Sequence, residues 1–412
     1  MKFIVSLAEQ GFGSILTFAI NLWLIRNGET QSYGVYVFWL SVAWVLGTTQ
    51  GTLVIAHLFA LPSGRDRLAE RREPERLFLS VSIALILVAA LGVAIGSGVL
   101  TATGSELGAP AAVVFIPGFL LFQYVRAFTF SRQRPILAAC LTGGILAAAV
   151  VLLGADFLLG HKPGAERVLF LTGIAYGGCS LVVLLILLRG MGPMLNPADI
   201  RRHAHRLHGS GWLMLGAGSG EVTSRLYSFA VVGQFGTSAL AALSAVQVVI
   251  RPAWMLSAAW SSIGFPHMAA RRAEGDRAGL LRTMLSGAAV TTAGSFVWSA
   301  MVVLGWPWVS SVLYHGRYEH IGPLAYFWGV NVMLGSIALA LNTAMLVLGE
   351  FRRLALIDLA GAVVTVGAIA GLVSHLDYPY AVVGTMLGQT TQILLMAFLL
   401  QSRLRQPLLA AA

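Results

Sequence analysis

Glu221 and Arg225 stand one helical turn apart in the stretch Gly211 to Gly236, which is otherwise apolar and of spanning length. A charge at bilayer depth costs about 2.5 to 3.5 kcal/mol on insertion scales, so such residues face a bundle interior or a water-filled cavity. That makes the helix a candidate wall of a transport path. Spaced i and i+4, the two side chains can also pair on one helix face. Arg251 is the other basic residue placed well inside a span, and Glu9 is a second glutamate in the first apolar segment. Gln50, Gln247, Gln10, Asn21, Asn331, Asn342, Gln389 and Gln392 add uncharged polar groups within spans. They suit contacts to sugar hydroxyls or interhelical hydrogen bonds, the latter worth about 0.6 kcal/mol each in a membrane.

Other residues invite chemistry and are better explained without it. His203, His205 and His208 cluster, but no cysteine or carboxylate completes a metal site and the neighbouring arginines repel a cation. A basic interfacial helix on anionic lipid accounts for them. Cys140 and Cys179 lie in apolar segments and read as core packing. Asp358, close after Arg352 and Arg353, reads as the anchor of a helix end, and Asp156 as solvated. Trp254 and Trp260 could stack on sugar rings, whereas Trp306 and Trp308 fit an interfacial belt. No Walker-type glycine loop occurs, so neither a nucleotide drive nor any cofactor or metal is expected.

The elements that must position these residues are membrane helices. The chain is 57% hydrophobic and 11% charged, with a mean hydropathy of +0.79; a soluble protein would be about 25% charged. At about 20 residues per span, 412 residues hold a dozen helices with short connections and no sizeable soluble domain. The net charge of +10 sits in short arginine clusters between apolar runs, which marks topology rather than a nucleic-acid surface. The start has no small-residue cleavage site and reads as a retained first helix.

Apolar segments at 3–25, 35–61, 77–100, 111–130, 136–158 and 168–188 give six spans, and those at 211–233, 237–265, 281–305, 323–347, 354–374 and 379–401 give six more. Of the 27 Lys and Arg residues, Arg26, Lys162, Arg167 and Arg317 fall on one set of connections, Arg225 and Arg251 inside spans, and all others, Arg126 among them, on the opposite set. The positive-inside rule makes that set and both termini cytoplasmic. The expected organisation is a six-helix lobe over 1–190, a cytoplasmic linker over 191–210, a second six-helix lobe over 211–401 and a tail over 402–412. Arginine-rich loops recur at 65–76 and 270–282, and SRQRP at 131–135 lies opposite GEFRR at 349–353. Six spans per half relate the halves by an axis along the membrane normal, and two such bundles form a substrate site at their interface.

The opening AEQGFGSILTFAINLWLIRNGETQSYG, the RAFTFSRQRP turn at 126–135, YHGRYEHIGPL at 314–324 and LVLGEFRRLALID at 346–358 resemble the polysaccharide transporter, or Wzx-like flippase, branch of the multidrug/oligosaccharidyl-lipid/polysaccharide exporter superfamily. The likeness spans the chain as a faint pattern without a diagnostic motif. It implies an all-α membrane fold of two six-helix lobes around a central cavity, in the bacterial inner membrane. It also implies movement of an undecaprenyl-diphosphate-linked oligosaccharide to the outer leaflet. Family members are often longer, and the absence of an extra C-terminal helix pair argues against the lipid II flippase branch.

For such a cargo, arginine is the suited residue, because its planar fork binds phosphate oxygens bidentately and keeps its charge. Arg225 and Arg251, with Gln247 and Gln50, are therefore the candidate substrate residues, and Glu221 and Glu9 the candidate proton-coupling carboxylates. The bland alternatives are a Glu221–Arg225 pair of no function, a snorkelling Arg251, and a Glu9 that reaches headgroup water. A proton or sodium ion as coupling partner, membrane lipids, and a polysaccharide polymerase with export machinery complete the expected partners. A drug or cation antiporter of the same superfamily would more naturally present carboxylates without arginines. A polymerase or ligase would need a large outer loop, and the longest here, Trp306 to Ile321, is short; the chain is expected not to be an enzyme.

Overall fold

The computed structural model describes residues 2–61, 68–188, 192–194, 196 and 210–405. Every long element among them is helical, as an apolar environment requires when each backbone N–H and C=O must be satisfied within its own segment. The helices are α1 (Lys2–Asn27), α2 (Thr30–Phe59), α3 (Leu68–Ala102), α4 (Ala112–Ser131), α5 (Pro135–Leu158) and α6 (Ala165–Leu188). A continuous run, Ser210–Ala273, is parted at Gly236 into α7 before it and α8 after it. Then follow α9 (Arg277–Leu304), α10 (Leu324–Leu348), α11 (Phe351–His375) and α12 (Tyr380–Arg405). Twelve long helices thus match the twelve apolar segments, and ten described helices are long and apolar enough to cross a membrane, the unparted run counting as one.

Local chemistry sets the boundaries. Gly236 has φ 82° and ψ 179°, a conformation essentially confined to glycine, and it ends α7 without a loop. Asp276 caps α9 by accepting a hydrogen bond from the Gly279 N–H at 2.8 Å, and Pro135 opens α5 at its first position. The segment expected to start at 77 begins at Leu68 instead, because the charged residues 70–76 continue the helix past the apolar run. Inside α2 a π turn covers Gly51–Ile55, directly after Gln50.

The chain forms two compact units, one through Met214 and one from Leu215. Each uses the same pairing of helices. In the first, α4 packs on α6, α3 on α4, α5 on α6 and α1 on α5. In the second, α10 packs on α12, α9 on α10 and α11 on α12. The counterpart of α1 on α5 is α7 on α11, where Gly216 lies against Ala355 and the Gln234 amide donates to the Val373 carbonyl at 2.7 Å. The parallel repeat read from the sequence is therefore present in the packing. Close approach relies on small residues, as membrane interfaces do: a Cβ on Gly118 of α4 would fall 2.5 Å from the Gly173 carbonyl of α6.

The two cysteines are free, and Cys140 is exposed rather than packed in a core. The lipid-facing side of a span accepts the same apolar residues as its core side, so hydropathy alone did not separate them. Trp308 is exposed, but Trp306 is buried and donates its indole N–H to the Tyr318 carbonyl at 3.1 Å, so it belongs to the packed interior of the connecting loop and not to an interfacial belt. The histidine cluster at 203–208 lies outside the described residues.

Candidate functional site

In unit 2 the chain reverses at Gly236, so residues equidistant from it share a depth. Tyr227, nine residues before, and Gln247, eleven after, meet: the Tyr227 hydroxyl donates to Gln247 Oε1 at 3.2 Å. The same register sets Arg225 and Arg251 close to one level on the two strands of the hairpin. Both guanidinium groups act electrostatically on the Tyr227 hydroxyl, which ties the two arginines to one locality. Arg225 Nε donates to Glu221 Oε2 at 2.7 Å, one turn back on α7, and both side chains keep partial exposure, 28% and 19%. Trp328 of α10 sets its ring edge-on to Tyr227 with centroids 5.2 Å apart, and its indole N–H is buried without a partner. Glu221, Arg225, Gln247 and Arg251 are thus brought together; Gln50 lies in the other unit.

Pro252 follows Arg251 inside α8 and removes one backbone donor there. Trp298 of α9 supplies a substitute nearby, its indole donating to the Val249 carbonyl at 2.9 Å. One turn on, Ser257 donates to Ser336 of α10 at 2.8 Å, and Ser295 of α9 is 3.0 Å from the same hydroxyl. The half of α8 that follows Arg251 is gripped by two neighbours, which fixes how the arginine is presented.

In unit 1 Glu9 is buried, 2% exposed, and does not reach water at the end of its helix. Arg126 of α4 forks onto it, with Nε to Oε1 at 2.6 Å and Nη2 to Oε2 at 2.8 Å, and Thr142 of α5 donates to Oε1 at 2.8 Å. Arg126 was placed with the loop arginines by its sequence neighbours. It lies inside α4, five residues before the helix ends, where a carboxylate from another helix meets it. No sequence spacing could pair positions 9 and 126; the signal was only that each is charged in an apolar run. Gln50 is 1% exposed and donates to Ser82 at 2.8 Å, in the seam between α2 and α3.

A second ion cluster ties the arginine-rich end of unit 1. Glu75 takes Arg71 Nε at 3.1 Å and Arg132 Nη2 at 2.5 Å, Arg71 also donates to the Ser131 carbonyl and hydroxyl, and Arg132 to the Leu187 carbonyl. Arg71 is only 2% exposed. These residues read as topology markers in the sequence, and the structure makes them the knot joining α3, α4 and α6. Asp358 of α11 accepts from the Gln392 amide of α12 at 3.3 Å and faces Gly216 of α7, so it sits between helices and not free at a helix end. Among the described residues no cluster of histidine, cysteine and carboxylate groups could hold a metal ion.

No protein-family model and no curated protein sequence matches the chain. Solved structures do. The lipid II flippase MurJ, in its inward closed conformation, superposes with a TM-score of 0.72 at 10% identity, over 97% of this chain and 87% of MurJ. The fold is that of a transporter of this kind. An inward-facing multidrug resistance MATE family transporter of the MOP superfamily gives a TM-score of 0.69 at 15% identity, over 96% of this chain and 98% of that one. A MOP superfamily transporter from Pyrococcus furiosus, whose binding pocket has a reversed polarity that suggests a different function, gives 0.63 at 15% identity, over 98% and 95%. The neighbours are transporters and a flippase, and the all-helical fold of this chain is theirs from end to end.

Proposed function

We propose that the chain is a flippase that carries an undecaprenyl-diphosphate-linked oligosaccharide from the inner to the outer leaflet of a bacterial cytoplasmic membrane, for surface polysaccharide synthesis. The observation that carries the reading is the gathering of Arg225 and Arg251 about Tyr227 and Gln247 at membrane depth, in a transporter fold. Arginine at that depth costs several kcal/mol unless it has work with an anion or a partner, and a diphosphate is an anion that its fork fits. Gln247 and the Trp328 indole add polar groups suited to the sugar or its phosphate. Glu221, bonded to Arg225, is the coupling carboxylate of this reading: an anion arriving at Arg225 competes for the donor that Glu221 holds, which links cargo to the carboxylate's protonation. Both termini are placed in the cytoplasm by the arginine distribution, and a polymerase is the partner that consumes the product.

The test is deletion of the gene in its host, followed by assay of which leaflet holds the lipid-linked repeat unit. Accumulation on the cytoplasmic side with loss of polymer is expected, and Arg225→Ala should reproduce it while inserting normally. Normal polymer in the deletion strain would sink the reading. A second reading, a drug or cation antiporter, is favoured by the equally complete superposition on the MATE transporter; it predicts unchanged polymer and increased drug sensitivity in the same strain.

A further inference from the structure

We propose that Arg126 of unit 1 is an anion-binding residue that takes the oxygens of a phosphate group, with Glu9 as its positioning residue. A guanidinium carries five N–H donors. Glu9 occupies one edge, through Nε and Nη2, and no described residue takes the opposite edge, made of Nη1 and the second Nη2 hydrogen. The side chain is one-third exposed while Glu9 is buried, so the arginine is held from behind and open in front. Three contacts fix its attitude: the fork on Glu9, the Thr142 hydroxyl that orients the carboxylate, and the Phe130 ring 5.5 Å from the guanidinium carbon. A pair that served only to neutralise charge would close on itself. Here two N–H groups of one plane remain parallel and unsatisfied inside a helix of the membrane domain, and the partner such an edge fits is a pair of oxygens on one phosphorus or carbon centre. Phosphate is favoured because both sources at hand in a membrane supply it: the diphosphate of a polyprenyl cargo, and the headgroup of an anionic phospholipid.

This inference leans on the flippase reading only for the first of those sources. The probe is farnesyl diphosphate, with farnesol as the uncharged control, titrated against the full-length protein in detergent with and without added phosphatidylglycerol. The wild type is expected to bind the diphosphate in preference to farnesol, and the double variant Glu9→Gln with Arg126→Gln, which keeps an amide pair and avoids a stranded charge, to lose ~10-fold or more of that affinity, as for one charge-assisted hydrogen bond. Glu9→Asp draws the guanidinium back by one methylene and should weaken the diphosphate without changing farnesol, a shift that a purely structural pair does not produce. Affinity that survives in the double variant overturns the inference and leaves the flippase reading standing. A wild type with no preference for the diphosphate overturns both. If phosphatidylglycerol displaces the probe the source is the headgroup, and if it does not the source is the cargo; either supports phosphate at Arg126.

Discussion

Each unit contains a glutamate bonded to an arginine, and the two pairs are built in opposite ways. Glu9 and Arg126 are 117 positions apart and join α1 to α4, with Thr142 adding α5. Glu221 and Arg225 are four positions apart on a single helix. The first pair is a tertiary contact whose loss strands a buried carboxylate. The second holds no helix to another, so it can open and close without disturbing the packing of its unit. A pair that must exchange partners with a cargo during transport belongs to the second kind, and a pair that must hold a donor edge steady belongs to the first.

The largest test of that contrast is Arg126→Ala set beside Arg225→Ala. Removing one partner of a buried pair costs about 3 to 5 kcal/mol, so Arg126→Ala should lower the melting temperature sharply or prevent accumulation of folded protein. Losing an i, i+4 pair costs about 0.2 to 0.5 kcal/mol, so Arg225→Ala should melt almost like the wild type while abolishing transport. Equal melting temperatures for the two variants would erase the distinction.

The contrast sharpens at Gly236, which sets the register of the second pair against Arg251 and Gln247. Alanine there must adopt backbone angles that belong to glycine, at a cost of about 1 to 3 kcal/mol. Gly236→Ala should therefore destabilise unit 2 moderately and shift α7 against α8. Disulfide formation between cysteines placed at Tyr227 and Gln247 reads that register, and it should slow in the Gly236→Ala background. An unchanged rate would mean that side-chain packing, and not the kink, aligns the arginines.

Much of this was legible in the chain itself. Twelve apolar runs and the arginine bias gave the helices, since length and hydropathy are local properties. The Glu221–Arg225 pair was legible for the same reason, because one turn of helix is a sequence distance. Arg126 was not. Its neighbours Arg132 and Arg134 made it look like part of a loop cluster, and the carboxylate that meets it comes from a helix a hundred residues earlier. Gln50 shows the converse: a glutamine in a span reads as a sugar ligand, yet Ser82 across the seam takes its amide. Nor could hydropathy tell that Trp306 turns inward while Trp308 faces out.

The smallest expected effect is the most diagnostic about the repeat. Thr142 is the eighth residue of α5 and Asp358 the eighth of α11, and each faces the first helix of its unit, Thr142 bonding Glu9 and Asp358 lying by Gly216. The carboxylate has in effect changed sides between the units, and in the second it has no arginine within salt-bridge distance among the described residues, only the Gln392 amide, which reaches it through space left by Gly361. An ionisable group in a span is costly when only a neutral group meets it. Asp358→Thr, which installs the residue of the other unit, should leave the melting temperature unchanged or raise it slightly, the opposite sign from Arg126→Ala. A fall larger than that of Arg225→Ala would show that unit 2 is also braced by a buried carboxylate, and that the two units differ in where they place it and not in whether they depend on it.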